Sequence, residues 1–414
     1  MARLMKADEK IEDNFFKKYS KYILYALLVF VIICRIVSIK FIPDVYIDES
    51  MILDHFKVFI SGSSIENNIN NLYFPAGVGL TTYTYFYPMI SVLYVVGADV
   101  FKARLVQQIF TIIACVFLAQ GVKIWSDNNE ELFWICLFVS LTLPWNFVQA
   151  NRIWDPSFVP LYFSIYFYSF ALLMKSEELS NLKAYVFSGI SFGFLVFLAV
   201  VYPPCRIPAV LMWLISLYWA FKENKINFKH IIFLFALSAL LSIPLAYNIL
   251  FNSDFNYCTQ KLLIFYSYPF IDAIKVYITN FISLINPLFL FVSGDVNYRH
   301  GLPIFGVLGT ISIVPLIALI FKRKINEYSS LCRYMIFIIV TTYLSVALTR
   351  RGMYHSLRAC LCWMPFTILI SYGWYYFLMD KSSKQKLMAY STILLFFIIY
   401  FVGYVLFFKN GLYA

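Results

Sequence analysis

The sequence predicts an all-α, polytopic membrane protein with about 11–12 transmembrane helices, and three observations carry that expectation. First, of 414 residues 61% are hydrophobic and only 13% charged, against about 45–50% and about 25% in an ordinary soluble domain. Second, apolar runs close to the roughly 20 residues of a helical span recur along the whole chain. Third, lysine and arginine gather in groups between those runs. So few charges could not cover a soluble enzyme, and the same numbers exclude a disordered chain and a small disulfide scaffold. The net charge of 33 − 22 = +11 then reports loop topology rather than a nucleic-acid partner.

The elements follow in order. A Lys-rich segment, Lys6 to Lys21, precedes the first apolar run, Tyr22 to Ile39, and no small-residue cleavage site follows it. It reads as an uncleaved span with a cytoplasmic N-terminus. The stretch 41–82 is a polar outer loop with an interfacial helix. The run 83–98 is short, Tyr-rich and broken by Pro88, so it is expected to be re-entrant or interfacial. Spans are expected at 104–124, 132–149, 157–174, 184–202, 207–221 and 230–251. The second long polar loop, 252–300, contains a partly apolar stretch, 273–293. Lys275, Asn280, Asn286 and Pro287 make that stretch interfacial rather than spanning. The remaining spans are 302–321, 334–348, 357–378 and 387–408. Residues 1–251 form an N-terminal catalytic module and 301–414 the C-terminal helices of one domain. No internal repeat is evident, which disfavours the common transporter architectures.

Three basic groups mark the cytoplasmic loops: Lys222, Lys225 and Lys229; Lys322, Arg323, Lys324 and Arg333; Lys381, Lys384 and Lys386. Loops 41–82, 151–156, 252–300 and 349–356 then lie outside. The cysteines sit in or beside apolar runs as small hydrophobes, with no C-x-x-C pair and no zinc spacing.

Against this background a few charges are misplaced, and a charge near membrane depth is a functional candidate by default. Asp48 and Glu49 follow the first span in Tyr46-Ile-Asp-Glu-Ser50. Adjacent carboxylates beside an apolar surface can hold their pKa values apart, and one can act as a general base. The alternative is a solvated loop pair. Arg152 and Asp155 lie in Asn151-Arg-Ile-Trp-Asp-Pro156, where the alternative is an ion pair capping the helix that starts at Pro156. The strongest anomaly is Thr349-Arg-Arg-Gly-Met-Tyr-His-Ser-Leu-Arg358. Arg350, Arg351 and Arg358, with His355, occupy a loop placed outside, and guanidinium there suits a phosphate partner. The alternative is an inverted topology at this loop. Arg299 and His300 have a similar setting, as has Arg206 in Tyr202-Pro-Pro-Cys-Arg206. Carboxylates and cations on one face are the equipment for acting on a lipid-linked phosphate. No P-loop, G-x-G-x-x-G, H-E-x-x-H or G-x-S-x-G motif is present.

The ordered set of motifs resembles the C-superfamily (GT-C) of integral membrane glycosyltransferases. Its nearest branch holds the protein O-mannosyltransferases, the lipid A aminoarabinose transferases and their bacterial relatives. The acidic pair after the first span is one part of the resemblance. Phe74-Pro-Ala-Gly77, Tyr87-Pro88 and Ala103-Arg-Leu105 resemble the family's second segment, which brings in Tyr87 and Arg104. Asn151-Arg152 with Asp155 resembles its second acidic loop. Phe289 to His300, and His355-Ser-Leu-Arg358 followed by Pro365 and Gly373, resemble its later segments.

The resemblance implies an inverting transfer of a sugar from a polyprenyl-phosphate donor to a lipid- or protein-linked hydroxyl acceptor on the outer face of the membrane. Asp48, beside Tyr46 and Glu49, would activate the acceptor, Asp155 would be the second acidic site, and Arg358 and His355 would contact phosphate. Metal use varies across the superfamily, and no carboxylate cluster in the sequence indicates an ion, so no cofactor or metal ligand is assigned. The Ile, Lys, Asn, Phe and Tyr bias points to an AT-rich bacterium, with undecaprenyl phosphate as carrier and the cytoplasmic membrane as location. The alternatives are a flippase or transporter of lipid-linked saccharide, and an O-antigen polymerase or ligase.

Overall fold

The computed structural model describes residues 22–42, 46–61, the backbone of 73–76 and 79–81, then 82–176, 180–251, 260–295, 297, 299–302, 305–321 and 329–409. The expected Lys6–Lys21 segment, the group Lys322–Lys324, residues 62–72 of the first loop and residues 252–259 of the second lie outside the described residues.

The fold is all-α, as expected, with one short hairpin. α1 is Tyr22–Phe41 and α2, in the first loop, is Ile47–Ser61. Strands β1 (Tyr73–Ala76) and β2 (Gly79–Thr82) pair antiparallel, Tyr73 opposite Thr82. Then come α3 (Tyr83–Val96), α4 (Val100–Trp125), α5 (Glu130–Thr142), α6 (Pro144–Ala150) and α7 (Asp155–Lys175). After these follow α8 (Asn181–Val201), α9 (Pro203–Lys222), α10 (Phe228–Phe251) and α11 (Phe270–Ile285). The chain closes with α12 (Thr310–Phe321), α13 (Ser329–Ala347), α14 (Trp363–Leu378) and α15 (Ser383–Lys409).

Among the described residues eight helices are long and apolar enough to cross a membrane, or nine if the bent pair α5–α6 is one span. The expectation of 11–12 is larger, and the difference has local causes. α3 has 14 residues; Thr82 just before it bonds Asp155, and Arg104 near the start of α4 bonds Glu49, which also takes the Ile153 N–H, so both ends of α3 return to the 151–155 turn. It therefore does not carry the chain across, in keeping with the re-entrant or interfacial reading of the short Tyr-rich run. The run 302–321 becomes helical only from Thr310. The run 357–378 spends its first residues on a loop and a 3₁₀ turn, which leaves a 16-residue helix buried along most of its length.

The pair α5–α6 bends by 61°. Pro144, at the first position of α6, lacks an N–H and its ring clashes with the preceding turn, so a break is the expected result. The carbonyls freed at the break need partners, because no water is available at that depth. Asn146 Nδ2 donates to Ser140 O at 2.6 Å, and Arg35 of α1 donates to Leu141 O at 2.8 Å. Arg35 is fully buried and also reaches Gln108 Oε1 at 3.2 Å and Asn146 Oδ1 at 3.2 Å. Gln108 in turn donates to Asn151 Oδ1 at 2.7 Å. A chain of amides thus runs from the helix break to the turn that begins at Asn151.

Two kinds of charge mark the two ends of the bundle. Lys386 meets Glu131 at 2.6 Å, Lys175 meets Asp127 at 2.8 Å, and Lys225 donates to Ser176 O at 2.6 Å. These contacts tie the α4–α5, α7–α8, α9–α10 and α14–α15 connections together at a lysine end. The other connections, with Asp48, Arg152, Arg299 and Arg358, lie at the opposite end. α11 lies at this arginine end with its polar side inward. Asn280 Nδ2 donates to Ala347 O and Thr349 O at 3.1 and 2.9 Å, while Ile271, Ile274, Ile278, Ile282 and Ile285 form an exposed apolar stripe. That is the interfacial helix expected in the second loop.

Replacing Arg35 with methionine strands the Leu141 carbonyl and two side-chain amides in an apolar interior, at about 1–3 kcal/mol for each orphaned group. Arg35→Met is therefore expected to lower the thermal unfolding midpoint of the detergent-solubilised protein by about 3–10 degrees, at roughly 1 degree per kcal/mol for a chain of this length. An unchanged midpoint would mean that the α5–α6 break holds without this residue.

Candidate functional site

The site is built around one buried carboxylate. Glu49 sits in the first turn of α2 with no exposed side-chain surface. Arg104 of α4 holds it with two bonds, Nη2 to Oε2 at 2.9 Å and Nε to Oε1 at 3.3 Å. The Ile153 N–H donates to Oε1 at 3.0 Å, and Arg152 Nη1 lies 4.0 Å from Oε2. One residue earlier in the helix the side chain turns by about 100°. Asp48 accordingly faces away from this cluster, 35% exposed, with Oδ2 3.7 Å from Nη1 of Arg299, itself 37% exposed.

The acidic pair is thus divided by helix geometry into a clamped carboxylate and a presented one. The Glu49 side chain has no exposed surface, and its bonds to Arg104 and Ile153 N fix the first turn of α2, on which Asp48 sits.

Arg152 carries the cluster across to the later loops. Its Nε donates to Arg299 O at 3.3 Å and its Nη2 to the Tyr46 hydroxyl at 3.3 Å. The guanidiniums of Arg152 and Arg299 lie 4.5 and 4.9 Å from the Tyr46 ring centroid, a cation–π arrangement that brings the two cations together. Asp155 does not cap its own helix. Its Oδ2 accepts from Thr82 N at 3.0 Å and so fastens the end of β2, while Oδ1 is buried without a hydrogen-bond partner.

On the far side, the loop between α13 and α14 folds back so that Ser356 donates twice to Asp295 Oδ2, from N and from Oγ, both at 2.8 Å. His300 stacks on His355 with ring centroids 4.6 Å apart, and Trp154 lies 5.7 Å from His300. Burial, together with the neighbouring His300, Arg358 and Arg351, holds the His355 imidazole well below its usual range, so the ring is neutral at pH 7. Arg358 interacts with the Tyr202 hydroxyl, and burial pulls its guanidinium down from its ordinary value against that contact. Arginine nonetheless stays charged at any physiological pH.

The structure therefore brings together Tyr46, Asp48, Glu49, Arg104, Arg152, Arg299, His300, His355 and Arg358, with Asp155 bracing the hairpin beside them. Arg351 faces solvent near His355. Three candidates lie apart. Tyr87 is exposed on α3. Arg350 is exposed, and its backbone N–H donates to Leu262 O at 2.7 Å. Arg206 lines an apolar groove between α8, α9 and α10 with Val196, Val200, Trp213 and Leu245. That groove starts one helical turn from Tyr202, and hence close to Arg358.

Sequence reasoning missed Asp295, Ser356, Tyr202 and Arg35. Asp295 stood inside a quoted motif, and Arg35 was a charge in an otherwise apolar run, which was a usable signal. Ser356 and Tyr202 carried none, since a lone hydroxyl is common everywhere. Protein-family models and curated protein sequences yield no match to the chain.

Arg104→Ala is expected to destabilise the protein by about 3–5 kcal/mol, the usual effect of leaving one member of a buried pair uncompensated. Asp48→Asn, at a partly exposed position, should shift stability by less than about 0.5 kcal/mol. Thermal unfolding of both variants in one detergent measures the difference, and equal shifts would contradict the division between the two carboxylates.

Proposed function

We propose that the chain is a membrane glycosyltransferase that moves a sugar from a polyprenyl-phosphate donor to a hydroxyl acceptor, with inversion. One observation carries the reading. A partly exposed carboxylate, Asp48, lies beside the partly exposed Arg299, at the end of the bundle opposite to the lysines. Positive-inside topology assigns the lysine end to the cytoplasm, and the site then faces outward. The motif resemblance to the C-superfamily supports the same reading. So does the apolar groove with Arg206 at its polar end, which suits an isoprenoid chain whose phosphate lies toward Arg358.

In this mechanism the acceptor hydroxyl hydrogen-bonds Asp48 and attacks the anomeric carbon from the face opposite the phosphate. A carbon–oxygen bond to the acceptor forms as the bond to the phosphate oxygen breaks. The hydroxyl proton passes to Asp48, and the electron pair leaves on the lipid phosphate, whose charge Arg358, Arg351 and Arg299 stabilise. Arg299 lies beside Asp48, its Nη1 3.7 Å from Oδ2, between the acceptor side and the phosphate side of this arrangement. A single displacement of this kind inverts the anomeric configuration.

The direct test is turnover in proteoliposomes with a polyprenyl-phosphate sugar, reading sugar released from the carrier by mass spectrometry. Asp48→Asn should lower the rate by about 10²–10⁴-fold, the usual contribution of a general base, while the protein remains folded. Normal activity of that variant would remove Asp48 from the mechanism. Movement of the intact donor across the bilayer without cleavage would favour the flippase reading instead.

Orientation is tested separately. Met353 is exposed at the arginine end. In intact cells Met353→Cys should react with an impermeant maleimide, and Lys225→Cys only after permeabilisation, each compared with the parent chain. The reverse pattern would invert the topology.

A further inference from the structure

Beside the arginines lies a group of side chains for which the transfer reading has no use as it stands. Asp295, His300 and His355 come from two different loops, and one ligand atom of each lies within 4.8 Å of the others. The His300 side chain is more than nine-tenths buried, and its Nδ1 has no hydrogen-bond partner although it faces Asp295 Oδ2 at 3.4 Å. A buried ring nitrogen left unbonded beside a carboxylate is unusual in a folded protein, and a missing ion is one of its standard explanations. The carboxylate is already oriented: Asn297 N donates to Oδ1 at 2.8 Å, and Ser356 donates twice to Oδ2. Outer hydrogen bonds of this sort hold metal ligands in place.

The donor set narrows the ion. Two imidazoles and one carboxylate suit zinc and its first-row neighbours, whereas magnesium and calcium favour all-oxygen shells. Three protein ligands leave a position open, as catalytic rather than structural zinc sites do. The charge balance says what fills it. A dication with a single carboxylate keeps a net positive charge, and Arg351 and Arg358 act on the same place. The positive balance favours an anionic ligand there over a neutral one.

We propose that Asp295, His300 and His355 bind a zinc-class divalent ion whose open position takes a phosphate oxygen of the lipid-linked donor. The ion and the arginines then hold the leaving phosphate together as the sugar–oxygen bond breaks and its electron pair passes to that oxygen. The metal site itself does not depend on the glycosyl-transfer reading; the role of the phosphate does.

Cobalt serves as the probe, since Co²⁺ in a low-coordinate nitrogen and oxygen site absorbs visible light and reports its ligands. The metal-stripped, detergent-solubilised full chain is titrated with Co²⁺, and then with decaprenyl phosphate or inorganic phosphate. One Co²⁺ per chain is expected. Ser356→Ala should weaken its binding by about 10–100-fold, the range for loss of an outer hydrogen bond. His300→Ala and His355→Ala should abolish it. His355→Gln, which keeps a polar side chain at this partly buried position, serves where an alanine variant melts early without metal, and it too should abolish binding. Decaprenyl phosphate should shift the spectrum. A shift of equal size with inorganic phosphate at equal concentration would place the specificity in the phosphate group, not in the lipid.

Absence of stoichiometric Co²⁺, or unaltered binding in the histidine variants, overturns the metal site. Bound Co²⁺ with a spectrum that neither phosphate changes overturns the proposed open position. Failure to find sugar transfer, with Co²⁺ bound and shifted by phosphate, would count against the transferase reading alone.

Discussion

Burial of Glu49 is the constraint on which the arginine end depends. A carboxylate with no exposed surface is tolerated only when its charge and its lone pairs are met, and removing one partner is far more costly than never having built the pair. Arg104 supplies the charge in a bidentate fork, and the Ile153 N–H fills a further acceptor site. The three contributors belong to α2, α4 and the turn before α7. Satisfying one side chain therefore locks the first loop onto the bundle in a single register. Asp48 and Tyr46 are neighbours in sequence, so their positions follow. Tyr46 in turn gathers Arg152 and Arg299.

A second device supports the first from within the apolar slab. Pro144 breaks the α5–α6 helix, and the polar groups it frees are taken up by Arg35 and Asn146. A straight helix would present no free carbonyl and would need no arginine. The break lets α6 deliver Asn151 and Arg152 at an angle, and the amide chain through Gln108 fixes that delivery. Intramembrane polarity is used here for architecture, while the polarity with free capacity is kept for the loops at the end.

Much of the fold was legible because the bilayer imposes a blunt rule. Apolar runs near span length, the groups of lysines and the two interfacial helices all follow from what hydrocarbon tolerates. Span lengths were less legible. The runs 302–321 and 357–378 are apolar throughout, yet part of each is loop, because hydropathy registers solvent preference and not backbone hydrogen bonding. The candidate residues were legible as misplaced charges. Their roles were not: Asp48 and Glu49 look alike in sequence, and only the helical turn between them separates an anchor from a presented acid. Asp155 read equally well as a cap or a catalytic group, and it turned out to hold the hairpin through Thr82. Asp295 gained meaning only when residues 300 and 355, far apart in the chain, were found on either side of it.

By itself the sequence determined that this protein lives in a membrane, which segments are apolar enough to stay there, and which few charges need a reason to exist. Those are properties of composition and local order, and transfer free energy reads them one segment at a time. Only the tertiary structure decided which charges neutralise one another, which remain available, and that two histidines and an aspartate share one small space. Those outcomes depend on distances between residues far apart in the chain, as with Glu49 and Arg104, which are 55 positions apart. Such distances are set by helix crossings, by one proline break and by a single buried ion cluster, none of which a local pattern can express.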